Sequence, residues 1–309
     1  MPEPTPSPVP APEPVPATGT PSWQARLAVR AFGLVPGALV TRVFTHPPRL
    51  RTPLVPRSLA ARHDVATTEV GAGRVATVTP AGARDHVFYL HGGAYTLQAQ
   101  HWPFLSRLLP HGYAVSLVDY PLAPEHTVDE TLPMVREAWG LAVEAAAADG
   151  RPAPVLAGDS AGGGLSLALL QQLRDEGATM PRATVLLSPW VDAVMADAGT
   201  IAADRLDPLL SRRALHGAAR LYAGPHGLDD PRISPGLADL SGLGRVLALV
   251  GTREVFWPQC ERLAQQAAAA GGTDLELRVR EGLPHDWALF PGLPEQRGLA
   301  AELVAWLAD

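Results

Sequence analysis

Residues 158–163 read Gly-Asp-Ser-Ala-Gly-Gly, and this stretch decides the fold of the chain. A short apolar run, Val155-Leu156-Ala157, precedes it, and a run rich in Ala and Leu, from Leu165 to Leu173, follows it. This order predicts a strand, a sharp turn and a helix, the context in which a G-x-S-x-G turn exposes a nucleophilic serine. We expect a strained backbone at Ser160 and no room for Cβ atoms at the flanking glycines. The pattern alone also fits an ordinary glycine-rich turn.

Apolar runs on both sides of this turn predict an α/β fold. A hairpin is predicted for Val65–Val70 and Arg74–Val78, because Gly71-Ala72-Gly73 separates the two runs. Six further strands are predicted, at 87–90, 114–118, 155–157, 184–187, 246–250 and 275–279. Helical stretches, such as 131–148, alternate with them. The pattern indicates a mainly parallel eight-stranded sheet with helices on both faces.

Three segments depart from this alternation of strands and helices. Residues 1–21 hold nine prolines and no basic residue, which predicts a disordered tail before a single domain at 22–309. Apolar residues recur at helical spacing after Trp23, and Pro36-Gly37 predicts a break between two helices. Residues 191–235 are too long for one crossover helix, so we expect two helices over the carboxyl edge of the sheet. Segments of about 22–50 and 191–235 are therefore predicted to form a cap.

Composition excludes several classes of protein. The 309 residues carry a net charge of −6 without a basic patch, so nucleic acid is not an expected partner. No apolar run approaches the roughly 18 residues that span a bilayer, so no membrane partner is expected. Cys260 is the only cysteine, which excludes an intrachain disulfide and is compatible with a reducing compartment, so we expect a cytoplasmic protein.

The base and the acid that would activate Ser160 are predicted from the order of the strands. His285 follows the strand at 275–279 through the loop 281–284, and a late histidine at the end of a strand suits a general base. Glu254 is the first carboxylate after the strand at 246–250, where the acid that orients the histidine is expected. Asp207 is a weaker rival for the acid. Asp286 is set aside because side chains adjacent in sequence rarely face each other.

A glycine loop after the strand at 87–90 is predicted to hold the negative oxygen of the reaction. Residues 91–95 read His-Gly-Gly-Ala-Tyr, and adjacent glycines let a backbone approach a substrate oxygen closely. A phosphate-binding loop is the alternative, but the pattern G-x-x-x-x-G-K-[ST] is absent and the chain contains no lysine. Ala161, directly after the serine, is expected to supply one further N–H donor.

Seven short motifs together resemble one family. They are H-G-G-A-Y at 91–95, D-Y-P-L-A-P-E-H at 119–126, G-D-S-A-G-G at 158–163, S-P-W-V-D at 188–192, I-S-P at 233–235, G-T-R-E-V at 251–255 and L-P-H at 283–285. The combination resembles the hormone-sensitive-lipase-like group of α/β-hydrolases. The resemblance implies a catalytic triad of Ser160, Glu254 and His285. It also implies an oxyanion hole formed by three backbone N–H groups, those of Gly93, Ala94 and Ala161, with the 119–126 motif as a brace.

This chain departs from the family pattern both at predicted site residues and in the segments around them. Ala94 stands where a third glycine is usual, and Glu254 stands where most relatives carry Asp. Pro121 replaces the usual arginine of the 119–126 motif, and the usual acidic pair is absent near Trp257-Pro258-Gln259. Asp159, Glu125 and His126 are expected either to orient the turn and the glycine loop or to form ordinary buried hydrogen bonds.

The resemblance implies hydrolysis of short-chain carboxylic esters through an acyl-enzyme, with no metal or organic cofactor. The expected partner is a small ester, and a homodimer is one possible assembly. Alternatives are an elimination or cyclisation enzyme on the same scaffold, a deacetylase of an N-acetyl metabolite, or a ligand-binding receptor. The intact glycine loop argues against elimination, and His285 argues against the receptor.

Overall fold

A computed structural model describes residues 15–48, 53–99 and 101–308. The strands are β1 (Asp64–Val70), β2 (Gly73–Thr79), β3 (Asp85–Leu90), β4 (Tyr113–Asp119), β5 (Val155–Asp159), β6 (Thr184–Leu187), β7 (Gly244–Arg253) and β8 (Thr273–Pro284). They form one sheet in the order β1-β2-β4-β3-β5-β6-β7-β8. The pairs β1–β2 and β2–β4 are antiparallel and the other five are parallel, which confirms the predicted mainly parallel sheet.

Helices cover both faces of this sheet. They are α1 (Trp23–Phe32), α2 (Gly37–Thr45), α3 (Arg57–Ala60), α4 (Trp102–Leu105), α5 (Val128–Ala148), α6 (Ser160–Asp175), α7 (Ala198–Ala203), α8 (Arg212–Ala223), α9 (Trp257–Ala269), α10 (Pro294–Arg297) and α11 (Leu299–Ala308). Thr127 and Glu130 form a capping box at the start of α5, the longest of these helices.

The period of two along the strands divides the core into two layers. Phe88 and Leu90 of β3 enter the layer under α5, α6, α8 and α9. Val87 and Tyr89 of the same strand enter the layer under α1, α4 and α11. Successive side chains of a strand point to opposite faces, so a parallel strand covered on both faces reads as a continuous apolar run.

All eight predicted strands are confirmed, but the predicted loop at 281–284 is wrong. Its Gly and Pro are loop signals, yet β8 continues to Pro284 because it stays paired with β7. A register shift between Gly251 and Arg253 interrupts the ladder, after which Arg253 pairs with Pro284. Tertiary pairing has overridden the local signal here.

The two predicted N-terminal helices are confirmed, with the break at Pro36-Gly37. α1 packs against β8 and places Ala25 in the core, whereas α2 packs against α8. Several large apolar side chains of this region remain exposed, namely Trp23, Leu27, Leu34, Val35 and Leu39. The two helices predicted within 191–235 are also confirmed, as α7 and α8.

The predicted tail ends earlier than residue 21. Residues 1–14 lie outside the described residues, but Thr18 pairs with β8 as a short parallel bridge to Arg280. Its N–H donates to Val279 O at 2.9 Å, and Glu281 N–H donates to Thr18 O at 3.0 Å. Thr18 therefore belongs to the fold, because the outer edge of β8 supplies the partners that its backbone needs.

In the part of the chain that the structure describes, no single helix has the length and apolarity needed to cross a membrane. α1 and α2 pass that test only as a pair, and they are bent by 75° to each other.

Candidate active site

Ser160 is the first residue of α6 and follows β5 without a gap. Its φ of 50° lies in the left-handed region, so the strain predicted for this serine is confirmed. A Cβ atom at Gly158 would lie 2.4 Å from Gly162 O, and one at Gly162 would lie 2.1 Å from Leu90 O. Both flanking glycines are therefore required by the close approach of strand and helix.

The structure brings Ser160, His285 and Glu254 into one chain of hydrogen bonds. His285 Nε2 lies 3.0 Å from Ser160 Oγ, and His285 Nδ1 lies 2.8 Å from Glu254 Oε2. Glu254 is fully buried, and Ser160 and His285 are only 5% and 6% exposed. This order of hydroxyl, imidazole and carboxylate is the arrangement that activates a serine nucleophile.

The pairing of β7 with β8 explains why Glu254 and His285 meet. Arg253 and Pro284 are partners across the two parallel strands. Glu254 and His285 are the next residues, so they leave the sheet side by side at its carboxyl edge. β5 ends at the same edge, which places Ser160 within reach.

Ser188 orients the carboxylate from its far side, a role that the sequence did not indicate. Glu254 Oε1 accepts hydrogen bonds from Gly251 N–H at 2.6 Å and from Ser188 Oγ at 2.8 Å. Ser188 Oγ in turn accepts from Asp286 N–H at 3.1 Å. Its φ of 44° is a second left-handed value at a non-glycine residue. The S-P-W-V-D motif was the available signal, because it contains this serine.

Asp286 contradicts the expectation that it would face away from its neighbour. Its Oδ2 lies 3.1 Å from His285 Nε2, because a φ of 55° turns the side chain back toward the imidazole. Burial alone would lower the pKa of His285, but Asp286 and then Glu254 outweigh burial and raise that pKa well above its ordinary value.

Asp207 does not contact His285 through a hydrogen bond. Its carboxylate accepts from three backbone N–H groups, those of Leu209, Leu210 and Val255. Burial raises the pKa of Asp207 to about 6, against the opposing effect of the His285 charge. The contact with Val255 ties the 191–235 segment to the residue that follows Glu254.

The glycine loop lies directly against the serine. A Cβ atom at Gly92 would lie 3.0 Å from Ser160 Cβ and 2.2 Å from Asp159 Oδ2. Gly93 and Ala94 have left-handed φ values of 111° and 54°. Among the described residues, no acceptor is bonded to the N–H groups of Gly93 or Ala94, and Ala161 lies in the first turn of α6, where N–H groups lack helical partners.

The 119–126 motif holds this loop although Pro121 departs from the family pattern. Tyr120 OH donates to His91 O at 2.5 Å, and its ring stacks on the His91 ring with centroids 4.4 Å apart. Ala123 N–H donates to Tyr95 O at 2.9 Å. These contacts confirm the prediction that the 119–126 motif braces the glycine loop.

Asp159 connects the serine turn to the glycine loop. Its Oδ1 accepts from Tyr89 OH at 2.7 Å and from Gly92 N–H at 2.9 Å, while its Oδ2 lies 3.2 Å from His101 Nε2. Burial would raise the pKa of Asp159, but His101 and Tyr89 lower it. Sequence reasoning missed Tyr89 and His101, which carry no motif.

Glu125 and His126 lie in the segment that precedes α5. His126 N–H donates to Leu122 O at 3.1 Å in the segment before α5. Their expected orienting role therefore stays a prediction.

A row of aromatic rings connects α8 to the site. Tyr222 stacks on Tyr95 with centroids 3.8 Å apart, and Tyr95 lies 5.7 Å from Trp190. Trp190 stacks on Phe256, whose ring meets the His285 ring edge-on at 5.1 Å. Gln259 bonds both backbone groups of Asp192, accepting from its N–H at 3.1 Å and donating to its O at 2.9 Å.

No group of three or more His, Cys, Asp or Glu side chains among the described residues is arranged to hold a metal ion.

Comparison with known proteins agrees with this geometry. Residues 87–289 match the family described as the alpha/beta hydrolase fold. The chain belongs to the α/β-hydrolase family. Within it, the chain is 35% identical over 215 residues to an acetyl-hydrolase of Streptomyces hygroscopicus, covering 68% of this chain and 71% of that protein. It is 34% identical over 227 residues to the putative acetyl-hydrolase LipR of Mycobacterium tuberculosis, covering 72% of each.

Solved structures assign this α/β-hydrolase to a narrower group. A hormone-sensitive lipase from a metagenome library superposes with a TM-score of 0.76 at 26% identity, covering 92% of this chain and 98% of that one. An esterase of the bacterial hormone-sensitive lipase family superposes with a TM-score of 0.75 at 29% identity, covering 92% and 96%. The chain belongs to this hormone-sensitive-lipase-like group of esterases.

Proposed function

We propose that the chain is a serine hydrolase that cleaves short-chain carboxylic esters through an acyl-enzyme, with Ser160, His285 and Glu254 as its triad. The observation that carries the proposal is the pair of contacts of His285, 3.0 Å to Ser160 Oγ and 2.8 Å to Glu254 Oε2. The relatives named acetyl-hydrolases and esterases support ester hydrolysis over elimination or cyclisation.

In the first half of the reaction, Ser160 Oγ attacks the ester carbonyl while His285 Nε2 takes its proton. Glu254 accepts the Nδ1 proton, which fixes the tautomer and stabilises the imidazolium. The N–H groups of Gly93, Ala94 and Ala161 receive the negative oxygen, because they are the free backbone donors beside the serine. The imidazolium then protonates the alcohol oxygen, which leaves.

In the second half, water replaces the alcohol. His285 Nε2 takes a proton from water, the resulting hydroxide attacks the acyl carbonyl, and the same proton returns to Ser160 Oγ. No metal or organic cofactor is proposed for either half.

A short acyl chain is proposed because the serine lies in a nearly closed site. Ser160 is 5% exposed, and Tyr222 of α8 stacks over the glycine loop at Tyr95. We propose that α2, α7 and α8, within the predicted cap segments, cover the site and limit chain length. Acetyl is the proposed acyl group, supported by the two relatives named acetyl-hydrolases.

The test measures hydrolysis of p-nitrophenyl esters from acetate to decanoate. The wild type is expected to prefer acetate to hexanoate, and Ser160→Ala is expected to lose about 10⁶-fold in kcat with an unchanged circular dichroism spectrum. A phosphonate probe should label only the peptide that contains Ser160. Turnover retained in Ser160→Ala would remove the serine from the mechanism.

Assembly and location are further parts of the proposal. A homodimer is supported by the exposed apolar side chains of α1 and α2, which supply the kind of surface that an interface buries. Light scattering that gives the monomer mass at all concentrations would exclude it. Placement in the cytoplasm is supported by the single, buried Cys260, and neither nucleic acid nor membrane is a proposed partner.

A further inference from the structure

Asp286 places a carboxylate beside the reacting nitrogen of His285. Its Oδ2 lies 3.1 Å from Nε2, the nitrogen that forms the hydrogen bond with Ser160 Oγ at 3.0 Å. The side chain of Asp286 is 17% exposed. Asp286 can pair with the charge of the ring once Nε2 is protonated, and Ser160 Oγ has its own contact with the same nitrogen.

We propose that Asp286 is a second acidic partner of His285, which stabilises the imidazolium from the Nε2 side while Glu254 stabilises it from the Nδ1 side. The proposal rests on the proposed function, because it needs His285 to act as the general base. It goes beyond the triad in that two carboxylates, on opposite sides of one ring, share a single positive charge.

The fold holds Asp286 in this position at a cost. Its left-handed φ of 55° is unfavourable for most residues, although Asp and Asn tolerate it best. Its Oδ1 is buried and, among the described residues, has no hydrogen-bond partner. A buried carboxylate oxygen without a donor is destabilising. Both oxygens of Glu254, by contrast, accept hydrogen bonds.

The surrounding charges come from several elements. The titratable groups around the imidazole and the Asp286 carboxylate are Tyr89 of β3, His101 before α4, Asp159 at the end of β5, Asp207 before α8 and Glu254 after β7. Asp159 is already partnered by His101 at 3.2 Å. Asp286 is therefore the carboxylate whose charge acts on Nε2 most directly.

For the reaction, Asp286 makes His285 a stronger base, but one that is unprotonated over a narrower range of pH. Asp286 exchanges no proton in the cycle: the proton moves from Ser160 Oγ to Nε2 and on to the leaving oxygen. The adjacent negative charge stabilises the imidazolium, and therefore also the transition state in which His285 is protonated. The same charge raises the pH at which His285 becomes neutral and able to accept a proton. Burial raises the pKa of Asp286 itself to about 6, so this effect operates above about pH 6.

The experiment compares kcat/KM for p-nitrophenyl acetate in the wild type, Asp286→Asn and Asp286→Gly between about pH 5 and 10. Asn and Gly both tolerate the left-handed backbone, so either variant keeps the turn. In both, the acid limb should move about 1–3 pH units lower and the alkaline plateau should fall. The ratio of variant to wild-type rate should rise as the pH falls. Asp274→Asn, at the exposed start of β8, is the matched control and should follow the wild-type profile.

A second measurement does not depend on turnover. In a Ser160→Ala background, the His285 ring signal is titrated by NMR and assigned by its loss in His285→Asn. Asp286→Asn should lower that pKa by about 1–3 units. An equal loss of rate at every pH, or an unchanged His285 titration, would overturn the proposal. A wild type that hydrolyses no ester would reject the proposed function instead, and the NMR titration would still test the link between His285 and Asp286.

Discussion

Glu254 is a buried carboxylate and Asp207 a half-buried one, and their contacts near His285 indicate different roles. Glu254 bonds Nδ1 directly, whereas the oxygens of Asp207 are occupied by backbone N–H groups. Glu254→Gln should therefore lower kcat by about 10⁴-fold, because an amide no longer fixes the productive tautomer. Asp207→Asn should retain most of the activity and mainly lower stability. Steady-state kinetics on p-nitrophenyl acetate compares kcat in the two variants. A larger loss in Asp207→Asn than in Glu254→Gln would make Asp207 the acid.

Ala94 tests whether the glycine loop acts through its backbone. Its φ of 54° suits glycine, so Ala94→Gly should keep kcat within about threefold, since the N–H donor remains. Ala94→Pro removes the donor and also forces φ to a negative value, so a loss of at least about 10²–10³ in kcat is expected. Equal activity of the two variants would exclude Ala94 from the oxyanion hole.

At the scale of residues, the order of motifs predicts most of the site but not all of its contacts. Ser160, His285 and Glu254 follow from their places after successive strands, and the structure brings them together as expected. The contacts of Ser188 and Asp286 do not follow from the motifs, because they depend on left-handed φ values of 44° and 55°.

The pairing of β7 with β8 sets the positions of Glu254 and His285 relative to each other. A Cβ atom at Gly251 would lie 2.1 Å from Leu283 O, at the register shift just before Glu254 and His285. Gly251→Ala should therefore separate the two strands there and lower the free energy of unfolding by about 1–3 kcal/mol.

The same change should lower kcat by about 10²-fold, because displacing reacting groups by roughly 1 Å has that effect. Gly271→Ala is the matched control, since a Cβ atom there meets nothing within 4 Å. Urea unfolding and p-nitrophenyl acetate kinetics are measured on both variants. If Gly251→Ala matched the control in both assays, the register shift would have no part in the site.

At the scale of elements, sequence patterns predicted the type of every strand but not where β8 ends. Glu281-Gly282-Leu283-Pro284 looks like a loop, and only its pairing with β7 keeps it extended. The register of two parallel strands depends on contacts distant in sequence. The local sequence of either segment therefore does not predict the short distance from Glu254 to His285.

We expect the stability of the whole molecule to depend on pH through His86, independently of catalysis. It is a buried residue of β3, with Nε2 2.7 Å from Oγ of Ser116 on the neighbouring β4. Burial and then the charge of Arg151 lower its pKa to about 4, below the ordinary 6.5. The unfolded chain therefore binds this proton first as the pH falls, and stability is lost between about pH 6.5 and 4.

His86→Gln should remove that part of the acid sensitivity, which amounts to at most about 3 kcal/mol at 1.36 kcal/mol per pKa unit. Urea unfolding at neutral pH and near the folded-state pKa measures the difference. His111→Gln, at an exposed position, serves as the control. A variant that loses as much stability on acidification as the wild type would show that His86 does not control this transition.

At the scale of the whole molecule, the fold class and the two core layers follow from alternating apolar runs and helical stretches. The placement of the N-terminal helices does not follow, because α1 packs on β8 while α2 packs on α8. Their apolar residues recur at helical spacing, yet Trp23, Leu27 and Leu39 stay exposed. Periodicity shows that a helix has an apolar face but not what covers that face.

The pairing of Thr18 with β8 matters for anyone who shortens or tags this chain. β8 is the last strand of the sheet, and Thr18 occupies backbone groups on its outer side at Val279 and Glu281. A truncation that begins after Thr18 would uncover those groups and offer them to a second molecule, the usual route to aggregation through a sheet edge. An N-terminal deletion should therefore stop before Thr18, and a fused affinity tag should be joined ahead of it.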